Sequence, residues 1–308
     1  MSHVALRRLV FLVATLGFLG FACGFQILQE GNQAGDWHGM FFLNANTGFL
    51  VGDNARILRT DDGGQNWSSL RSGISKKVRL KGVWFFDELN GLVCGELGTL
   101  YSTADGGRTW KRISVGGAEL DGIAFAGRVG YVVGLSGRVL VTEDRGASWT
   151  ESERKTKRLL MAVDCAGEHH AWAVGLGGTI LHTADGGANW EFQESGTASI
   201  LLDVCFVDEK RGWAVGTDGV IIHTSNGGIT WRPQQSGARH ELNGVCFVDA
   251  KTGYIVGQES IYLHTTDGGH TWQKEILIDK NEWLYSVFML EADKGFACGK
   301  KGILISIP

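Results

Sequence analysis

Proline is almost missing from this chain: Pro233 and Pro308 are the only two in 308 residues. A proline-rich linker or an extended polyproline segment is thereby excluded. Cysteine is sparse at six, and no two stand in a C-x-x-C spacing. That argues against a zinc ribbon or a thioredoxin-like redox motif. No window sustains an apolar period of 3.6 residues, which excludes a helical bundle. Basic residues are not in excess: 29 Lys and Arg stand against 33 Asp and Glu, a net charge of −4. Bulk electrostatics therefore do not favour a nucleic-acid partner. The N-terminal apolar run, residues 9–22, has only fourteen residues and follows Arg7 and Arg8. It is too short to span a bilayer comfortably and suits the core of a secretion signal.

Residues 1–22 are accordingly expected to be a signal peptide, with Gly20 and Ala22 supplying the small residues for cleavage before Cys23. Cys23 is a candidate lipidation site; plain secretion after the same cleavage is the alternative. Either route places the mature chain, 23–308, outside the cytoplasm, in a periplasm or on a cell surface. Membrane association would then come through Cys23 or through a partner. The remaining cysteines, Cys94, Cys165, Cys205, Cys246 and Cys298, all fall on expected strands. Other repeats carry Val, Ala or Phe there, so buried free thiols are expected.

What the chain has in plenty is glycine, 46 residues, and tryptophan, 11. Both are concentrated in one octet written six times: TDDGGQNW (60–67), TADGGRTW (103–110), TEDRGASW (142–149), TADGGANW (183–190), TSNGGITW (224–231) and TTDGGHTW (265–272). Its tryptophans, Trp67, Trp110, Trp149, Trp190, Trp231 and Trp272, are spaced by 43, 39, 41, 41 and 41 residues. A period near forty signals a solenoid or a propeller. Each unit contains four short β-rich runs bounded by Gly, Asp, Asn or Lys, which is the content of a propeller blade. Seven first-strand runs can be counted, and the seventh unit stops at Pro308 without its octet and fourth strand. The segment FQILQEG (25–31) matches WEFQESG (190–196), with Phe25 in the Trp place. The expectation is an all-β, seven-bladed β-propeller of four-stranded blades, closed by the N-terminal strand pairing with residues 302–307.

The octet itself reads as a turn. Asp62, Asp105, Asp144, Asp185 and Asp267, with Asn226 in the sixth copy, can accept hydrogen bonds from backbone N–H groups one to three residues on. The glycines permit positive φ, and the Trp covers the hairpin and the seam to the next blade. Catalysis needs one asymmetric site, whereas six equivalent turns, five with a carboxylate, spread around a ring serve structure.

These octets resemble Asp-box (BNR) repeats. The whole unit, best seen in FVDEKRGWAVGTDGVIIHTSNGGITW (206–231), resembles the photosystem II stability/assembly factor family over about residues 25–308. The resemblance implies a non-catalytic propeller scaffold outside the cytoplasm, the thylakoid lumen included. It would bind a polypeptide during assembly of a membrane-protein complex, with an Arg-rich patch for recognition. No cofactor or metal is expected, and a monomer is expected. The alternative is a secreted glycan-binding or sialidase-like glycosidase propeller. For that chemistry only Tyr285 is placed to see the channel, and the Arg-Ile-Pro opening of sialidase domains is absent. His182, His223 and His264 recur one per blade and read as a packing column. Asp164, in an inner strand, is expected to have a local structural partner. Partner binding is assigned to the face carrying the long loops: Arg56, Lys76, Lys77, Arg79, Arg138, Arg154, Lys155, Lys157 and Arg158 form its basic sector.

Overall fold

A computed structural model describes residues 25–29, 35–278 and 282–307. The signal peptide, the cleavage site and Cys23 lie outside the described residues. Seven four-stranded antiparallel sheets follow one another. Blade 1 runs from strand Trp37–Phe42 to Ser68–Leu70, blade 2 from Leu80–Phe85 to Lys111–Arg112, and blade 3 from Leu120–Ala126 to Thr150–Glu151. Blades 4, 5 and 6 begin at Leu160–Ala166, Leu201–Phe206 and Leu242–Phe247. Blade 7 has three strands from the C-terminus, Leu284–Glu291, Lys294–Gly299 and Leu304–Ile307, and its outer strand is Gln26–Gln29. Gln26 pairs with Ser306 and Ile27 with Ile305, which is the closure expected from the sequence. Phe25 sits edge-on to Tyr262, with ring centroids 5.4 Å apart.

The strands form from short β-rich apolar runs, and in the first and second strands of blades 1 and 2 nearly every position is buried between neighbouring sheets. The second strands, such as Gly48–Gly52 and Gly91–Gly95, are buried along their whole length. An aromatic chain links the blades. Phe85 of blade 2 lies face to face with Phe49 of blade 1 at 3.4 Å and edge-on to Trp110 of its own octet at 6.2 Å. Phe206 repeats this between Trp172 and Trp231, and Phe247 between Trp213 and Trp272. Blade 4 has Cys165 in place of the phenylalanine, and there Tyr131 of blade 3 meets Trp190 directly. The five thiols from Cys94 to Cys298 are free and buried.

The octet folds as a turn, with one correction to the expected bonding. The Asp carboxylate accepts mainly from the backbone N–H four residues on, one beyond the expected span, with the N–H three residues on a weaker contributor: Thr109 N–H donates to Asp105 Oδ1 at 2.8 Å and Asn189 N–H to Asp185 Oδ1 at 2.9 Å. The side chain of that same residue donates to Oδ2, as Thr109 Oγ1 does at 2.6 Å. Asn226 keeps the backbone bond, accepting from Thr230 N–H at 3.0 Å. The leading threonine holds the centre. Thr183 Oγ1 donates to Asp185 Oδ1 and accepts from the buried N–H of Gly187. The first glycine of the pair has φ between 70° and 76° in five copies. Arg145 takes that place in blade 3 at φ 60°, a conformation that costs a non-glycine residue roughly 1 kcal/mol. The second glycine is required by contact: a Cβ on Gly64 would stand 2.4 Å from Phe296 of the preceding blade.

These side-chain and backbone N–H bonds hold Asp105, Asp144, Asp185 and Asp267 down to about 2, below the usual carboxylate value. A depressed folded-state value means stability that is present above the unfolded value near 3.9 and lost as pH falls toward 2. Thermal melts should therefore drop steeply between about pH 4 and pH 2. Thr183→Val should cost about 1–3 kcal/mol in urea unfolding by orphaning the Gly187 N–H, while Thr183→Ser should cost far less. A chain starting at residue 32 should be about 2–4 kcal/mol less stable than one starting at residue 24, because it loses the apolar contacts of Phe25 and Leu28 and bares the 304–307 edge.

Candidate functional site at the channel mouth

The seven first strands surround a central channel with a cavity of about 230 Å³. In every blade the pairing between first and second strands slips just after the first residue, between Trp37 and Gly39 in blade 1 and between Leu80 and Gly82 in blade 2. The residue at the slip is set free of the ladder. It is His38, Lys81, Asp121, Met161, Leu202, Asn243 or Tyr285, in blade order, and all seven line the cavity. A ring of seven independently variable side chains thus stands at the face where long loops enter each blade. One sector is apolar, through Met161 and Leu202; the rest is polar.

Polar groups in this ring are tied to their neighbours. His38 Nε2 lies 2.8 Å from Asp53 Oδ1, and the His38 ring stacks on Tyr285 at 5.5 Å. Tyr285 O–H donates to Asp36 Oδ2 at 3.3 Å. Burial, followed by the charge of Asp36, pushes the Tyr285 phenol well above its usual range. Lys81 Nζ lies 2.5 Å from both Asp121 Oδ1 and Glu119 Oε1. Asp121 Oδ2 is buried with no hydrogen-bond partner. Burial raises Asp121 to about 6 against the pull of Lys81. Deeper in the channel, carboxylates reach across seams: Asp164 Oδ2 accepts from Phe206 N–H at 2.7 Å and Asp203 Oδ2 from Val245 N–H at 2.9 Å. The expected structural partner of Asp164 is therefore the next blade's backbone.

Around the mouth the basic residues singled out from the sequence divide into two groups. Arg56 lies over the Trp37 ring at 3.9 Å and donates to the Gly35 carbonyl, so it braces the entry to blade 1. Arg138 is buried, pairs with Glu151 at 3.0 Å and donates to the Val115 carbonyl. Arg158 donates to the Gly177 carbonyl at 3.0 Å. These three hold loops in place. Arg79 bridges Glu96 at 3.2 Å, Arg154 pairs with Glu151 and Lys155 with Glu153. The exposed Lys76, Lys77 and Lys157 carry no acidic partner among the described residues. Lys76 and Lys77 enter blade 2 and Lys157 enters blade 4, so the structure does not gather the nine into one patch.

Sequence reasoning missed the ring. Its signal is a variable column between a buried Trp or Leu and the apolar run, as in WHGMFF, LKGVWF and LDGIAF. The histidines 182, 223 and 264 stack on Trp172, Trp213 and Tyr254 of their own blades.

Comparison with known proteins adds the family. Residues 34–122, 75–158, 116–194 and 189–282 each match the profile of the photosynthesis system II assembly factor YCF48. A solved structure described as YCF48 bound to D1 peptide superposes with a TM-score of 0.78 at 23% identity, covering 95% of this chain and 99% of that one. YCF48 from Cyanidioschyzon merolae gives 0.76 at 20% identity, over 92% and 99%. A streptogramin B lyase gives 0.76 at 10% identity, over 92% and 97%, so the same fold also carries an enzyme. No curated protein matches the sequence.

The raised Asp121 predicts a pH dependence opposite in sign to that of the octets. Its folded value, about 6, lies above the unfolded value near 3.9, so the folded state holds the extra proton and stability falls as pH rises between them. Asp121→Asn should remove that fall, seen as a melting-temperature difference from wild type that grows from pH 4 to pH 6.

Proposed function

The chain belongs to the photosynthesis system II assembly factor YCF48 family, and on that premise we propose that it is a non-catalytic scaffold binding a polypeptide while a membrane-protein complex is assembled. The observation that carries this reading is the family match across residues 34–282, together with the relative solved with a D1 peptide. Export through residues 1–22 and residence outside the cytoplasm, lipid-tethered at Cys23 or not, belong to the same proposal.

The geometry supports binding over catalysis. A glycosidase of the sialidase kind needs an ionisable tyrosine and clustered arginines. Here the phenol of Tyr285 is pushed up by burial and Asp36, away from phenolate. The arginines near the mouth are engaged with carboxylates or carbonyls on separate loops. A charged loop face, by contrast, suits recognition of an extended acidic segment, with Lys76, Lys77 and Lys157 free to pair and Arg79 and Arg154 able to exchange partners. Arg56 and Arg138 serve that face as braces.

A C-terminally tagged chain, drawn from gently solubilised source membranes, should co-purify with a membrane-complex subunit. Changing Lys76, Lys77, Arg79, Arg154 and Lys157 to Glu should lose that subunit while the melting temperature stays within a few degrees of wild type. Recovery of the same subunit by the variant would overturn the loop-face assignment, and recovery of glycans alone would overturn the scaffold reading.

A further inference from the structure

The two strands at the middle of each blade repeat a paired position. It is Phe49 with Arg59, Tyr131 with Val141, Trp172 with His182, Trp213 with His223, Tyr254 with His264, and Phe296 with Ser306. In six blades the first member is an aromatic ring. Blade 2 alone carries Leu92, and its partner is Ser102. In four of those blades the ring has a cation or imidazole beside it, and in the other two the partner is Val141 or Ser306; in blade 2, which has no ring there, the seam with blade 3 opens into a cavity of about 570 Å³ on the octet face. That volume is within the range of small-molecule sites.

Its lining differs from every other seam in a second respect. Arg145 occupies the octet position that is glycine in the other five copies, and it does so in the left-handed region. Its guanidinium lies 5.9 Å from the centre of the Phe86 ring and makes no hydrogen bond among the described residues. Lys111, on the outer strand opposite Ser102, also lacks an acidic partner there. The nearby carboxylate of Asp87 is already engaged by the N–H groups of Leu89 and Asn90. Trp110 and Phe86 supply apolar walls. The cavity is therefore flat-walled, missing one ring, and rimmed by two cations with free donors.

We infer that this seam is a binding site for a small aromatic carboxylate. The ring takes the place that an aromatic side chain holds in the other six blades. The carboxylate meets the Arg145 fork, a charge-assisted and bidentate contact, with Lys111 as a second cation. The site lies on the face opposite the channel mouth and is independent of the polypeptide scaffold reading.

Calorimetric titration of the full chain with naphthalene-2-carboxylate tests the assignment. A ligand of about thirteen non-hydrogen atoms should bind with a Kd on the order of 1 mM or tighter. Naphthalene-2-carboxamide, which lacks the charge, should bind at least about tenfold more weakly. Arg145→Gly restores the residue of the other octets; it should weaken the carboxylate by about tenfold or more while leaving Tm unchanged or higher. Leu92→Trp with Ser102→His installs the pair of blade 5 and should abolish binding by filling the cavity. If that double variant misfolds, Arg145→Gly still decides. No binding by wild type at 10 mM ligand, equal affinity for the neutral amide, or undiminished binding by Arg145→Gly would each overturn the site. Binding only of a peptide ending in a free tryptophan carboxylate would overturn the small-molecule assignment in favour of a polypeptide terminus.

Discussion

Everything in this ring depends on how one blade grips the next, and the grip is a phenylalanine held between two rings. Phe85, Phe206 and Phe247 each have a flat face against an aromatic of the preceding blade, at 3.4–3.6 Å, and an edge contact to the octet tryptophan of their own blade. Each such aromatic pair contributes about 0.5–1.5 kcal/mol beyond the area it buries. The tryptophan reaches its place only if the octet turns the chain at the right residue. The Thr–Asp–backbone network is thus a positioning device for a ring; it recurs in six of the seven blades, and in blade 7 the closing strand brings Phe25 to the tryptophan's place.

This assignment of tasks frees the other end of each blade. On the octet face the polar groups are consumed by turns: threonine, aspartate and the residue four beyond it satisfy one another. On the loop face the strand slip after Trp37, Leu80 and their counterparts releases one side chain per blade from any ladder duty. Buried anchors on either side keep the slip in register, so the released residue differs from blade to blade while the strand pairing stays the same. His38, Lys81, Asp121 and Tyr285 can then form a polar arc and Met161 and Leu202 an apolar one. Binding sites on propellers arise where structure makes the fewest demands.

The same reasoning separates what was legible in the sequence from what was not. The blade count, the strand order and the closure by residues 26–29 could be read because they rest on spacing and on a repeated Trp or Phe position. The main backbone donor to the octet aspartate lies one residue beyond the expected span, because the turn's left-handed glycines carry the chain a residue further than a simple Asx turn does. The roles of Arg56 and Arg138 were hidden for a different reason. Whether an arginine on a loop faces solvent or lies over Trp37 depends on the first strand of its own blade, whose ring is 3.9 Å away, and a linear pattern does not encode that contact. The loop-face ring was visible as a variable column, but a column is recognisable only once the slip that releases it is known.

Departures from the repeat carry the remaining information. Some are absorbed: Cys165 replaces a phenylalanine, and Tyr131 crosses the seam to reach Trp190 instead. Asn226 replaces an aspartate and keeps an acceptor in place. At the seam of blades 2 and 3 the departures accumulate without being absorbed. Leu92 withdraws a ring, and Arg145 places a charge where the backbone favours glycine. Two coincident exceptions at one cavity, a missing ring and an added guanidinium, are what the proposed occupant would account for.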